Sequence, residues 1–231
     1  MATSLGTSSR RHRARRGHGE ALRGEILAAA RDLLAESGSV EAVSVRSVAA
    51  RVGVTTPSIY LHFKDKEDLI DAVCATSFAD LAKAMEEAGA GATTPLDRLL
   101  ALGRAYVRFA LEQPEQYRVA MMACGGHPMT VDAVLTENCF QQLLSAVQDA
   151  VEAGIFSPCT EGTLGLALQL WSAAHGVASL LICKPWLPWG EVDPLVERTL
   201  RMAVAGAAVN GRLADASRSE LGDRLVAFGQ P

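Results

Sequence analysis

The sequence predicts an all-α fold, a three-helix N-terminal head followed by a longer helical bundle. Three observations predict it. Apolar residues recur at helical spacing from Glu20 almost to the C-terminus. No segment shows the period-two alternation of a half-buried strand. Glycine, proline and Ser/Thr/Asp residues fall where helices of ordinary length would start and stop. The chain has 231 residues, 49% of them hydrophobic, which is enough for a buried core and excludes general disorder.

The elements follow in order. Residues 1–19 are rich in Ser, Thr, Gly and Arg and read as a disordered arm, with Arg10, Arg11, Arg13, Arg15 and Arg16 packed close together. Such a run either binds polyanions by counterion release or is a solvated tail. Leu22, Ile26, Ala29, Leu33 and Leu34 then form one apolar helix face, which Gly38 ends. Ser44 caps a short helix over Val45–Arg51, and Gly53 breaks it. Thr55 caps a second short helix with Pro57 in its first turn. Asp65 and Asp68 open a third in near capping-box spacing. Long helices are expected over Lys66 to Glu87, from Thr94-Pro95 to Gln113, over Val131 to Ala153, through residues 162–183, and from Pro194 to Asn210. A short helix runs through Met122, and a weak one is expected in the C-terminal tail.

Ser44 to Phe63 carries the chemistry. Two short helices meet at Val52-Gly53-Val54. Ala49 lets them approach, Gly53 permits positive φ, and Ile59 returns to the joint. This is the spacing of a DNA-binding helix-turn-helix. The exposed side of the second helix offers Thr55, Thr56, Ser58, Tyr60 and His62, hydrogen-bonding groups with no carboxylate among them, suited to phosphates and base edges. A solvated surface helix with Ser/Thr caps is the bland alternative.

Residues 20–73 resemble the TetR family of bacterial transcriptional regulators. The resemblance is carried by R-G-E-I-L-A-A-A-R-D-L-L-A-E-S-G and S-V-R-S-V-A-A-R-V-G-V-T-T-P-S-I-Y-L-H-F-K-D-K-E-D-L-I, with the run Tyr60-x-His62-Phe63 and Lys66-Glu67-x-Leu69 its most specific part. Trp171-x-x-x-His175-Gly176 echoes a C-terminal motif of one subgroup. The resemblance implies contacts to phosphate or base from Ser44 and Arg46, recognition-helix contacts from Thr55, Thr56 and Ser58, backbone or groove contacts from Tyr60 and His62, and a phosphate grip from Lys66. Phe63 matches a core position. Pro57 departs from the commoner small residue there and bears on base preference. Three regions follow: the arm (1–19), a helix-turn-helix DNA-binding domain (20–66), and a helical ligand-binding and dimerisation domain (67–231).

The formal charge of −4 gives no hint of a nucleic-acid partner. Counted by segment it does. Residues 1–66 hold 11 basic and 6 acidic side chains, a surplus of five positive charges; the remaining 165 hold 11 and 20, an excess of nine negative charges.

The 22 residues 162–183 lack formal charge and read either as a membrane span or as a buried helix. Gly162, Gly165, Gln169, Ser172, Gly176, Ser179 and Cys183 form a stripe of small or polar residues, and Gln169 and His175 are costly in hydrocarbon, which favours a soluble bundle without a membrane. Leu195, Thr199, Met202, Gly206, Val209 and Leu213 make a matching seam on the last long helix. The resemblance implies that these two helices form a four-helix homodimer interface. It also implies an inducer cavity, apolar or amphipathic in its preference, lined by Tyr106, Phe109, Met121, Met122, Phe140, Trp171 and His175, with Tyr117 nearby. The plain alternative is that these residues are core.

Five scattered cysteines without a C-x-x-C pair argue against a disulfide scaffold and fit a reducing cytoplasm, and the polar N-terminus does not read as a secretory signal. Cys124 and His127 offer two metal ligands where a structural zinc needs four, so no metal and no cofactor are expected. No nucleophile elbow, zincin or phosphate-loop motif is present, so an enzyme is not expected. The reading is a ligand-released repressor that binds a near-palindromic double-stranded DNA operator as a homodimer. The alternative is a small-molecule binding or scavenging helical protein.

Overall fold

The computed structural model describes residues 18–122, 137–157, 162–212 and 216–228. All regular structure among them is helical: α1 (His18–Ser37), α2 (Val45–Val52), α3 (Thr56–Tyr60), α4 (Lys66–Gly89), α5 (Pro95–Glu112), α6 (Pro114–Met122), α7 (Asn138–Glu152), α8 (Gly162–Cys183), α9 (Val192–Arg212) and α10 (Arg218–Phe228). The chain divides into two units, residues 1–73 and 74–231, and the division falls inside α4. The head therefore extends seven residues past the expected boundary at 66, because Leu69, Ile70 and Val73 of α4 are buried with it.

In the first unit, α1 begins at His18, two residues before the helix was expected to start at Glu20; residues 1–17 lie outside the described residues. Gly38 ends α1 with φ +65° and donates its N–H to the Leu34 carbonyl at 2.8 Å. Ile26, Ala30 and Leu34 from α1, Val43 from the connection, Val48 and Ala49 from α2, Ile59 from α3 and Phe63 are all buried. Arg23 lies over the Phe63 ring, 5.0 Å from its centroid. The helix after Gly53 is shorter than the seven residues expected. Five residues are helical, and Leu61 leaves the helix before Phe63 drops into the core.

In the second unit α5 is the central helix and packs against α7, α8 and α9. Thr94 caps it, accepting the Asp97 N–H at 3.1 Å, and Pro95 occupies its first turn. Gly103 permits the close approach to α9. A Cβ there would meet the Leu200 methyls at 3.0 and 3.1 Å. α7 starts at Asn138 rather than Val131: Glu137 is extended at the N-cap position, and residues 131–136 lie outside the described set. α8 does form over 162–183 as one uninterrupted helix, the single described helix long and apolar enough to cross a membrane. Its Leu166, Leu170, Ala174, Val177 and Leu181 face the bundle core, and it packs on α5, α7 and α9. Among the described residues Cys139 is buried and free, and Cys183 is exposed and free.

Candidate functional site

The helix-turn-helix is built by local hydrogen bonding. Ser44 and Ser47 form a capping box at the start of α2: the Ser47 N–H donates to Ser44 Oγ and the Ser44 N–H to Ser47 Oγ, both at 3.0 Å. At the other end Gly53 sits at φ +77°, ψ +32°, and both Gly53 and Val54 donate their N–H groups to the Ala49 carbonyl at 3.0 Å. A side chain in that left-handed region is strained, so glycine makes the turn sharp. Thr55 stands at the N-cap of α3 but makes no side-chain cap bond; its hydroxyl pairs instead with Ser58 Oγ at 2.9 Å. Beyond Phe63, the Asp68 N–H donates to Asp65 Oδ1 and the Lys64 N–H to Asp68 Oδ2, each at 2.8 Å, which fixes the start of α4.

This frame leaves Ser44, Arg46, Thr55, Pro57 and Tyr60 exposed, and Thr56, Ser58, His62 and Lys66 half-buried. His62 lies beside the first turn of α1, its ring 4.0 Å from where a Cβ on Gly19 would stand. Tyr60 is 53% and Leu61 84% exposed at the end of α3. Leu61 is the one large apolar group of the motif turned to solvent, and the sequence reading passed over it. Its place between two polar residues, two positions after the core Ile59, was the available signal. Arg51 is committed elsewhere. It forms a bidentate pair with Glu36 of α1, at 2.9 and 2.7 Å, and holds that carboxyl below its ordinary range by hydrogen bonding.

A second site lies within the helical bundle. An apolar cavity lies among α4 to α9. α4 contributes Phe78 and Met85, α5 Leu99, Leu100, Leu102, Gly103 and Tyr106, α6 Met121, α7 Cys139, Phe140 and Leu143, α8 Leu170, Trp171 and Ala174, and α9 Leu200, Ala203 and Val204; Glu137 completes the wall. Four of the residues expected there, Tyr106, Met121, Phe140 and Trp171, meet around this one space. Phe109 does not; it is buried in the core without lining the cavity. Met122 closes α6, and its side chain is outside the described residues. His175 also does not line the cavity but stands behind Tyr106, one turn of α8 beyond Trp171.

His175 anchors a polar cluster that the sequence did not show. Tyr117 Oη lies 2.7 Å and Tyr106 Oη 3.0 Å from His175 Nδ1. Ser179 Oγ lies 3.3 Å from Nε2. Trp171 Nε1–H donates to Tyr106 Oη at 3.2 Å, and the two tyrosine oxygens are 3.4 Å apart. Burial lowers the pKa of His175 and raises those of both phenols, so all three groups are neutral at pH 7. The tautomer that uses every donor carries the proton on Nε2. Trp171 then gives to Tyr106, Tyr106 to Tyr117, Tyr117 to Nδ1, and Nε2–H to Ser179. Ser179 thus turns into the cluster and not only along the stripe of small residues. Burial also raises the Glu137 carboxyl and pushes the Cys139 thiol up to about 11.

The outer side of α8 and α9 carries much of the two expected seams. Gln169 and Ser172 are exposed, and Gly165 and Gly176 are half-covered. On α9 Met202 is 74% exposed, Gly206 is exposed, and Thr199 is half-buried with its hydroxyl on the Leu195 carbonyl. Leu164, Leu168 and Leu180 are also open on this side of α8. Cys124 and His127 lie outside the described residues.

Comparison with known proteins agrees with this arrangement. Residues 26–73 match the family model "Bacterial regulatory proteins, tetR family", and residues 99–217 match "Tetracyclin repressor-like, C-terminal domain". Over 55 residues the chain is 40% identical to the tetracycline repressor protein class A from transposon 1721 of Escherichia coli, a match spanning 24% of this chain and 25% of that protein. A solved protein of unknown function from Rhodococcus sp. RHA1 shares 29% identity with a TM-score of 0.67, over 81% of this chain and 95% of its own. The transcriptional regulator FadR from Bacillus subtilis, solved in complex with stearoyl-CoA, shares the fold at 16% identity and a TM-score of 0.67, over 79% of this chain and 98% of its own. With a helix-turn-helix head at one end, a repressor-like C-terminal domain at the other and no strand among the described residues, the chain belongs to the TetR family of transcriptional regulators.

Proposed function

We propose that the protein is a ligand-released repressor that binds a near-palindromic operator as a homodimer in the cytoplasm. The observation that carries the reading is the outer side of α3. Thr55, Pro57, Tyr60 and Leu61 project from a helix whose only buried residue is Ile59, and no carboxylate stands among them. Ser44 and Arg46 at the start of α2, and Lys66 at the start of α4, are proposed to hold the phosphates on either side. Thr56, Ser58 and His62 would complete the contact set.

One five-residue helix makes too few contacts for tight specific binding, so two copies related by a two-fold axis are needed. The outer side of α8 and α9 fits that need. A Cβ at Gly176 or Gly206 would meet nothing within 4 Å of the chain itself, so packing within one protomer does not require their small size. Gly165, Gln169, Ser172, Thr199 and Met202 lie along the same seams.

The cavity supplies the release signal. In this reading an apolar or amphipathic ligand binds better to the state whose heads are wrongly spaced, and that difference lowers operator affinity. The acyl-CoA seated in the B. subtilis neighbour supports a small amphipathic effector for this fold. α4 is the natural connection, since it gives Leu69 and Val73 to the head and Phe78 and Met85 to the cavity wall. A binding or scavenging protein would need the cavity but not the α3 surface.

The test is a gel-shift assay of the full chain against fragments of its own promoter region. Retention of one fragment by the wild type, lost in Tyr60→Ala with the helical signal intact, is expected. No retained fragment at low salt would overturn the regulatory reading and leave the scavenger.

A further inference from the structure

Among the described residues the polar groups of the cavity wall are few: Tyr106, Trp171, Cys139 and Glu137. Trp171 Nε1–H is already donated to Tyr106 Oη. The Tyr106 hydroxyl is itself surrounded by Tyr117 Oη, His175 Nδ1 and Met121 Sδ, so it is engaged within the protein. The remaining strong polar group is Glu137. It occupies the N-cap position of α7 yet makes no side-chain cap bond, so its carboxylate is not engaged with its own helix. No Lys, Arg or His is among the described residues that line the space.

These features select the ligand's charge. An anionic head would lie beside Glu137 with no Lys, Arg or His among the described residues of the wall to offset the repulsion. The N-terminal dipole of α7 could attract an anion, but Glu137 already sits where such an anion would go. A neutral apolar ligand would cover the carboxylate and leave it without a partner, at the cost of its desolvation. An ammonium group avoids both penalties. It donates to the carboxylate, and the aromatic residues Phe78, Phe140 and Trp171 lie in the same wall.

We propose that the cavity takes a lipophilic ammonium compound, its nitrogen at Glu137 and its hydrocarbon body against Phe78, Phe140, Leu143 and Leu200. The proposal rests on the reading of this cavity as the effector site, and adds the chemical class of the effector.

The test is isothermal titration calorimetry of the full chain at pH 7.5 with three probes of equal chain length, each below its micelle concentration: dodecylammonium, dodecanol and dodecanoate. Dodecylammonium should bind more tightly than dodecanoate by about ten- to a hundredfold, the range of a hydrogen bond to a charged group. Glu137→Gln should remove most of that ratio, by weakening the ammonium and relieving the repulsion of dodecanoate, with dodecanol changing least. The variant also controls for the overall acidity of residues 67–231, which it barely alters. Dodecanoate binding as tightly as dodecylammonium, or a ratio that survives Glu137→Gln, overturns the proposal. Dodecanol binding without any preference for the cation would overturn the charge selection and leave the effector cavity standing. Failure of all three probes to bind would overturn both.

Discussion

Two tyrosine hydroxyls converge on one imidazole nitrogen, and this sharing has a measurable consequence. Tyr117 is only 1% exposed, and its Oη is 2.7 Å from His175 Nδ1, while Tyr106 Oη is 3.0 Å from the same atom. If Tyr117→Phe removes the nearer donor, Tyr106 is placed to take over, so the cost should be about 1 kcal/mol, the usual net value of a neutral hydrogen bond. Tyr106→Phe should cost somewhat more, because Trp171 Nε1–H loses its acceptor as well. The double variant leaves Nδ1 with neither hydroxyl. It should exceed the sum of the singles by about 1 kcal/mol or more, the penalty of a desolvated unpaired group. Urea unfolding of the four proteins measures this, at one fixed protein concentration because a dimer's stability depends on it. Losses that add within about 0.5 kcal/mol would mean that Tyr106 does not take over at Nδ1 when the Tyr117 hydroxyl is removed.

Other outcomes follow from single positions. Gly53→Val places a β-branched residue at φ +77° and should cost about 1–2 kcal/mol in the head, read as a lower thermal midpoint together with weakened DNA binding. His175 has a folded pKa below its unfolded value, so the stability it contributes is present above the ordinary histidine pKa near 6.5 and is lost as pH falls from there through the lowered value. Unfolding midpoints measured from pH 7.5 to 5 should decline less in His175→Gln than in the wild type. Met202→Lys puts a charge on the proposed dimer seam and should shift sedimentation toward the monomer; an unchanged dimer would move the interface elsewhere. Deleting residues 1–16 removes five arginines and should flatten the salt dependence of DNA binding; an unchanged slope would make the arm a solvated tail.

The head was legible because its signals are local. Ser44, Gly53 and Asp65 act on backbone groups within a few residues, so spacing alone reveals them. The length of α3 was not, since its end at Tyr60 is set by Phe63 turning into a core formed with α1, a tertiary event. In the bundle, the uncharged stretch reads as a helix from composition, but which side is buried depends on α5, α7 and α9. Tyr106 and Phe109 are three residues apart on one helix, and only the packing of neighbours decides that the first meets the cavity and the second does not. The His175 cluster joins residues 58 and 69 positions apart, a distance no local pattern bridges. Glu137 gives no periodic signal at all; its significance comes from where α7 begins.

The central claim is sequence-specific reading of two half-sites by a dimer. It is tested most directly by fluorescence anisotropy of the full chain on the near-palindrome that footprinting protects, against the same duplex with one half-site scrambled. The account predicts at least a hundredfold weaker binding to the scrambled duplex, as expected when about half of the specific contacts are lost at about 1–3 kcal/mol per mismatched base pair. Equal affinity for the two duplexes, with the same salt dependence, would contradict it.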